Sequence, residues 1–263
     1  MVVLVMTDGV RPDALDPSRC PVHAALRARG AFTASARSVM PSVTLPCHMS
    51  IFHSVPPSRH GITTNLYVPM ARPLPGLVEA LRLAGKRCAF VHNWEPLRDL
   101  SRPEMLSYAY FCEPPAGPDV AHPAYDDDVA EQGARAIASG VFDFVFVYLG
   151  GVDAAGHAYG WMSEGYLAQL EQLDAALGRV VAALPRGAAI IVQSDHGGHE
   201  RHHGTEAPED MTIPWLVAGP GIRQGHTIVA PMSLLDTAPT VARLLGVPAP
   251  PEWEGRVSEE IFA

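Results

Sequence analysis

The chain has 263 residues, 48% of them hydrophobic and only 18% charged, with a mean hydropathy of +0.08. This composition excludes a disordered chain and supplies apolar surface for one α/β domain spanning residues 1–263. The formal net charge of −9 argues against nucleic-acid polymers or anionic membranes as partners.

The opening run Val2 to Met6 is apolar, lacks a basic leader and is too short to span a membrane, so it predicts a first strand rather than a signal peptide. A cytoplasmic location is expected, and the dispersed Cys20, Cys47, Cys88 and Cys112, with no CxxC pair, fit reduced thiols. Pro46 suits the first turn of a helix running through Met49 and Ile51 to Phe52, which places Thr44 near its N-cap. A helix over Leu74 to Ala84 and a strand over Arg87 to His92 come next. Then follow a helix over Asp126 to Ser139, a strand over Phe142 to Leu149 and a helix over Ser163 to Leu184. Strands over Ala188 to Gln193 and Ile213 to Ala218 precede a helix over Asp236 to Leu245, with Asp236 as cap and Gly246 just past its end. The alternation predicts a mainly parallel central sheet with helices on both faces, a three-layer α/β/α sandwich. The stretch from about Asn65 to Pro123 is irregular and rich in Pro and aromatics, including Tyr67, Trp94 and Phe111. Loops over a sheet's carboxyl edge are where such folds meet substrate, although ordinary loop packing explains the composition equally well.

Several predicted strands end in a metal-competent residue. Asp8 follows the first; Asp153, with His157 four residues on, follows the third; Ser194-Asp195-His196-Gly197-Gly198 follows the fourth. Parallel strands end at one edge, so these residues converge there, and three carboxylates in one crevice repel unless cations lie between them. Mixed Asp/His ligation suits Zn²⁺ first, with Mn²⁺ or Fe as alternatives. Alone, Asp8 reads as a turn residue, Asp153 to His157 as a capped turn, and Thr44 as a helix cap. Together with a helix N-terminus that offers N–H groups to an anion, Thr44 reads as a nucleophile ionised by a neighbouring metal.

These motifs resemble the alkaline phosphatase superfamily, and within it the nucleotide pyrophosphatase/phosphodiesterase branch. The resemblance runs through Thr7-Asp8-Gly9, Pro41 to His48, Ser58 to Ile62 with Asn65, and Asp153 to His157. It continues through Ser194 to Gly197, His203-Gly204, Leu235 to Thr240 and Glu254-Gly255-Arg256. It implies two divalent metal ions, one held by Asp153, His157 and His203, the other by Asp8, Asp195 and His196 with Thr44 bound to it or beside it. It makes Asn65 a contact to a nonbridging phosphoryl oxygen. His202 is the alternative to His203, which is preferred because the family's ligand directly precedes a glycine. His199 is assigned to solvent or to the ligands' surroundings, and His48 and His60 to structural roles.

The resemblance implies hydrolysis of a small phosphate ester or nucleotide-like substrate through a phosphothreonine on Thr44. Cys47 stands where the branch commonly has asparagine, which weakens assignment to its nucleotide-cleaving members. No basic residue lies between Thr44 and Arg59 to neutralise a dianionic monoester, so phosphodiester or pyrophosphate cleavage is favoured over monoester or phosphonate hydrolysis. Sulfatase chemistry is set aside because Val55 occupies the position of the modified Cys or Ser. Phosphoglycerate mutase chemistry is set aside because the nucleophile is Thr44 and the chain has no room for the inserted domain. A non-catalytic binding protein on this fold would have lost a ligand or the nucleophile, and none is missing.

Overall fold

The computed structural model describes residues 1–70, 72–112 and 124–263. In chain order the elements are β1 (Val2–Thr7), α1 (Pro21–Arg29), β2 (Gly30–Arg37), α2 (Thr44–His53), α3 (Pro57–His60) and α4 (Leu77–Leu83). They continue with β3 (Cys88–His92), β4 (Tyr108–Phe111), α5 (Ala124–Ala138), β5 (Phe144–Leu149), α6 (Gly151–Tyr159) and α7 (Glu164–Ala182). The last are β6 (Ala189–Gln193), α8 (Pro208–Met211), β7 (Thr212–Ala218), β8 (His226–Thr227) and α9 (Thr237–Leu244). The strands form one eight-stranded sheet in the order β4-β3-β5-β1-β6-β7-β2-β8. All pairs are parallel except those of β7, which is antiparallel to both β6 and β2.

Apolar residues alternate to both faces of the sheet, as strands covered on two sides require. Leu4, Met6, Phe144 and Phe146 point into a core with residues of α2, α4 and α9, while Val3, Val5, Val145 and Val147 meet residues of α5 and α7 opposite. Every residue of α2 is buried, so this helix is enclosed all round rather than amphipathic. Phe52 near its end packs edge-on against Phe90, Phe144 and Phe146, which anchors the helix on the sheet. Pro214 sits inside β7, where it cannot donate to a ladder. The β2 register shifts opposite it, between Thr33 and Ala36, so the missing bond falls at an irregularity.

The sequence-predicted strands and helices are present within a few residues. Three differences have local causes. Thr44 is the first residue of α2 rather than its cap; Val43 holds the cap position without a side-chain bond. Asp236 does not cap α9, because its carboxylate accepts from Ser233 N and Arg256 N, both at 2.7 Å, closing the turn before the helix. The Asp153 to His157 stretch is a helix, α6, rather than a capped turn. Within the irregular 65–123 stretch the structure adds β4 to the expected strand; residues 71 and 113–123 lie outside the described residues. Among the described residues no helix is long and apolar enough to cross a membrane.

Candidate active site

Register brings the strand ends together. Thr7 pairs with Leu149 and Met6 with Gln193, so the residues after β1, β5 and β6 emerge at one level. The chain can turn this tightly partly because of Gly9, with φ of 71°, where an added Cβ would lie 2.9 Å from Asp153 Cα. Asp153 stands in the first turn of α6 and His157 one turn later on the same face, their Nε2 and Oδ2 atoms 3.5 Å apart. His196 Nε2 lies 3.3 Å from Asp8 Oδ1, 3.5 Å from Asp195 Oδ2 and 3.3 Å from Thr44 Oγ1. His203 Nε2 lies 3.7 Å from Asp153 Oδ1, and its ring stacks on His196 with centroids 3.8 Å apart. The neighbouring His202 is half-exposed and lies 4.0 Å from Glu200, so of this pair it is His203 that faces the cluster.

The hydrogen bonds around this cluster hold the outer ring nitrogens and turn the inner ones towards the carboxylates and Thr44. Nδ1 of His157 is bound to Arg201 O at 2.9 Å, that of His196 to Gly197 O at 2.8 Å and that of His203 to Ser42 O at 2.8 Å. Each imidazole is therefore anchored outward through Nδ1 and presents Nε2 inward, the orientation a metal ligand needs. Facing them, Asp8 Oδ1, Asp153 Oδ1 and Asp195 Oδ2 are buried without any hydrogen-bond partner. Buried carboxylate oxygens without partners are costly, and cations among them remove the cost. Burial, reinforced by Asp8, pushes Asp195 well above and Asp153 also above the ordinary carboxylate range. Burial and the neighbouring His196 lower His203 to about 4, which keeps it neutral. Two groups have donor atoms within 4.8 Å of one another, Asp153 with His196 and His203, and Asp8 with Asp195 and His196. Oxygen and imidazole donors at this density fit divalent transition metals; His157 stands just outside the first group, beside Asp153.

Thr44 Oγ1 opens onto a cavity of about 400 Å³ lined also by Asn65, Asn93, Trp94, Tyr148, Asp153, His157 and His203. Asn65 Oδ1 accepts from Leu45 N at 3.0 Å and so caps α2 from a distant loop. No Lys or Arg is among the described residues that line the cavity. Of the three aromatics singled out in the irregular stretch, only Trp94 reaches this cavity, where it stacks on Tyr148. Tyr67 lines a separate cavity near His53, and Phe111 lies against the ring of His92. His60 is bonded at both ring nitrogens, to Ser50 Oγ and Ile62 N, whereas His48 is fully buried with Nδ1 2.8 Å from Thr44 O and 3.5 Å from Asp195 Oδ2, directly behind the cluster.

Sequence reasoning missed Tyr148, whose hydroxyl donates to Asp8 Oδ2, and Asp210, whose carboxylate accepts from His199 and Thr205. Those bonds hold the Asp210 carboxyl below the usual carboxylate range, outweighing the opposite effect of burial. Neither residue sits in a recognisable motif. Tyr148 is one more apolar-run residue of a strand, and Asp210 follows Pro208-Glu209 in what reads as a solvated turn.

Against known families, the sequence profile described as type I phosphodiesterase / nucleotide pyrophosphatase matches residues 2–209. The chain belongs to this family. The family lies in the alkaline phosphatase superfamily, whose members are metal-dependent phosphoester hydrolases or phosphotransferases. Among curated relatives, a 2,3-bisphosphoglycerate-independent phosphoglycerate mutase of Rhodopirellula baltica is 32% identical over 143 residues, 49% of this chain and 25% of the mutase. A mutase of the same description from Desulforudis audaxviator is 37% identical over 120 residues, 43% of this chain and 23% of its own length. The chain thus spans about a quarter of the curated relatives it matches. Murine ectonucleotide pyrophosphatase / phosphodiesterase 5 shares the fold with a TM-score of 0.81 at 15% identity, each chain fully covered. A 2-O GAG sulfatase shares it with a TM-score of 0.75 at 16% identity, covering 98% of this chain and 73% of the sulfatase.

Proposed function

We propose that the protein hydrolyses small phosphodiester or pyrophosphate substrates in two displacements, with Thr44 as nucleophile. The observation that carries the reading is the position of Thr44, a residue 5% exposed at the start of α2 with its Oγ1 3.3 Å from His196 Nε2, which itself stands between Asp8 and Asp195. Asp8, Asp195 and His196 with Thr44 would hold one divalent ion, and Asp153, His157 and His203 a second. Ions bound there, Zn²⁺ first for this donor set, would lower the pKa of the Thr44 hydroxyl and offset charge on the phosphoryl oxygens.

Thr44 Oγ1 attacks phosphorus in line, and the leaving alcohol or phosphate departs into the cavity walled by Trp94 and Tyr148. The phosphoryl group rests on Thr44 as a phosphothreonine that still carries the substrate's other ester group, until water, entering from the vacated side, breaks the bond between Thr44 Oγ1 and phosphorus, releases the monoester and restores the hydroxyl. Asn65 is fixed through its Oδ1 by Leu45 N, which leaves its amide N–H₂ to donate to a nonbridging oxygen. The backbone N–H groups at the start of α2 add to that donor set. A diester carries one negative charge where a monoester carries two, and a cavity without Lys or Arg suits the diester. A related solved structure is an inactive form of the murine phosphodiesterase 5 in complex with AMP, with a TM-score of 0.79, so a nucleotide-like substrate is the natural first candidate.

Metal analysis and turnover of bis-p-nitrophenyl phosphate, p-nitrophenyl phosphate and phosphonoacetate test this reading. Bound transition metal and preference for the diester are expected, with loss of at least a thousandfold in kcat for Thr44→Ala. Full activity in Thr44→Ala would sink the mechanism. Faster turnover of the monoester or the phosphonate would replace the substrate class.

A further inference from the structure

The loop that leaves β6 with Asp195 and His196 and returns into β7 carries His203 at its far side. A loop that presents a ligand has to be held by its own hydrogen bonds, and in this one a single buried residue accepts four of them. Asp210 is 0% exposed and lies in α8, just before β7. Its Oδ1 accepts from His199 Nδ1 at 2.7 Å. Its Oδ2 accepts from Thr205 N at 2.9 Å and Thr205 Oγ1 at 2.7 Å. Its backbone oxygen accepts from Gly197 N at 2.9 Å, an approach so close that a Cβ at Gly197 would fall 2.1 Å from Glu209 O.

The residues gripped in this way bracket His203. Before it, His199 and His202 exchange N–H···O bonds of 3.0 Å each and close a tight turn. After it, Thr205 O accepts from Ser42 Oγ at 2.9 Å, while Ser42 O receives His203 Nδ1 at 2.8 Å. Ser42 lies two residues before Thr44. The Asp210 carboxylate is therefore tied through Thr205 and Ser42 to the ring of His203 and to the segment that delivers the nucleophile.

The geometry points to Asp210, with His199 as its partner, as a positioning residue that sets His203 Nε2 against Asp153 and so tunes one of the two metal positions. This rests on the two-metal reading above. A carboxylate serves both arms because each oxygen accepts separately. Ala at this position removes both acceptors and releases His199 and Thr205 together, whereas Asn could keep both by accepting from Thr205 and donating to the other tautomer of His199.

The test is Zn²⁺ binding to chelator-stripped protein, measured by competition with a chromophoric chelator, for wild type, Asp210→Ala and His199→Ala. Asp210→Ala is expected to bind one Zn²⁺ as wild type does and the other about ten- to a hundredfold more weakly, as when other residues supporting a metal ligand are lost. Unchanged affinity at both positions together with a lower Tm overturns the proposal, because that is how a purely structural carboxylate behaves. If Asp210→Ala does not fold, His199→Ala decides. The His199 side chain is 29% exposed, so water can replace it, and a several-fold weakening at one position is expected. No weakening there overturns the proposal equally. A wild-type protein that binds no Zn²⁺ would instead remove the two-metal reading itself.

Discussion

Buried carboxylates flank α6 on two sides, and their surroundings differ in kind. At the carboxyl edge of the sheet, Asp8, Asp153 and Asp195 leave buried oxygens unpartnered and face the Nε2 atoms of His196 and His203. Beneath the first turn of α6, Asp126 is just as buried, and its Oδ2 is also unpartnered. Its neighbours, however, are amides: Gly151 N donates to Oδ1 at 3.2 Å, and Gln169 lies nearby. Burial pushes Asp126 up to about 7 and also raises Asp153 and Asp195. A raised carboxyl by itself thus does not mark a metal position. What separates the two places is the convergence of imidazoles whose outer nitrogens are already committed to backbone carbonyls.

The widest separation is expected in activity. Asp195→Asn removes an oxygen donor from the cluster and should lower kcat/KM on bis-p-nitrophenyl phosphate by on the order of a thousandfold, with bound metal reduced. Asp126→Asn, which alters a carboxyl of similar burial, should change kcat/KM by no more than about threefold. Equal losses in the two variants would erase the distinction. A second, smaller effect lies in stability. Saturating Zn²⁺ at about a hundredfold above its Kd adds roughly 2.7 kcal/mol, which in a chain of this size raises Tm by about 5–10 °C. That rise should be the same in Asp126→Asn as in wild type and clearly smaller in Asp195→Asn. A thermal-melt series with and without Zn²⁺ decides it.

The carboxylate-and-histidine side of the molecule was legible because strand ends in a parallel sheet share one edge, so Asp8, Asp153 and Asp195 could be brought together from hydrophobic runs alone. Pairing His157 and His203 with Asp153 required the family resemblance. Asp210 was not legible, since its carboxylate acts on residues five and eleven positions earlier in a loop without periodicity. Thr44 was legible as lying near the start of α2, and Pro46 marks that first turn without fixing which residue begins it. The aromatic wall was least legible of all. Trp94, Tyr67 and Phe111 look alike in sequence, and only the path of the chain after β3 separates the one at the cavity from the two elsewhere.

The smallest effect concerns Asp126 itself and is read through pH. A carboxyl whose pKa is raised on folding holds its proton more tightly in the folded state. Below about pH 4 it is protonated whether folded or not, and it contributes no difference. As pH climbs towards about 7 the unfolded chain ionises first, so the folded state loses stability through that window and the loss then levels off. Asn cannot ionise, and Gln169 can rotate its amide oxygen towards the new N–H₂, so Asp126→Asn is spared the loss. The Tm of the variant minus that of wild type should therefore grow more positive from pH 4 to pH 8. The stability gap by the upper end should be on the order of 2 kcal/mol, below the full linkage value because burial is relaxed by local motion. Other titrating groups cancel in this difference, because they are common to both proteins. A gap that stays constant across the range would mean that Asp126 is ionised in the folded protein, and a cation or an unassigned donor would then have to lie beneath α6 as well.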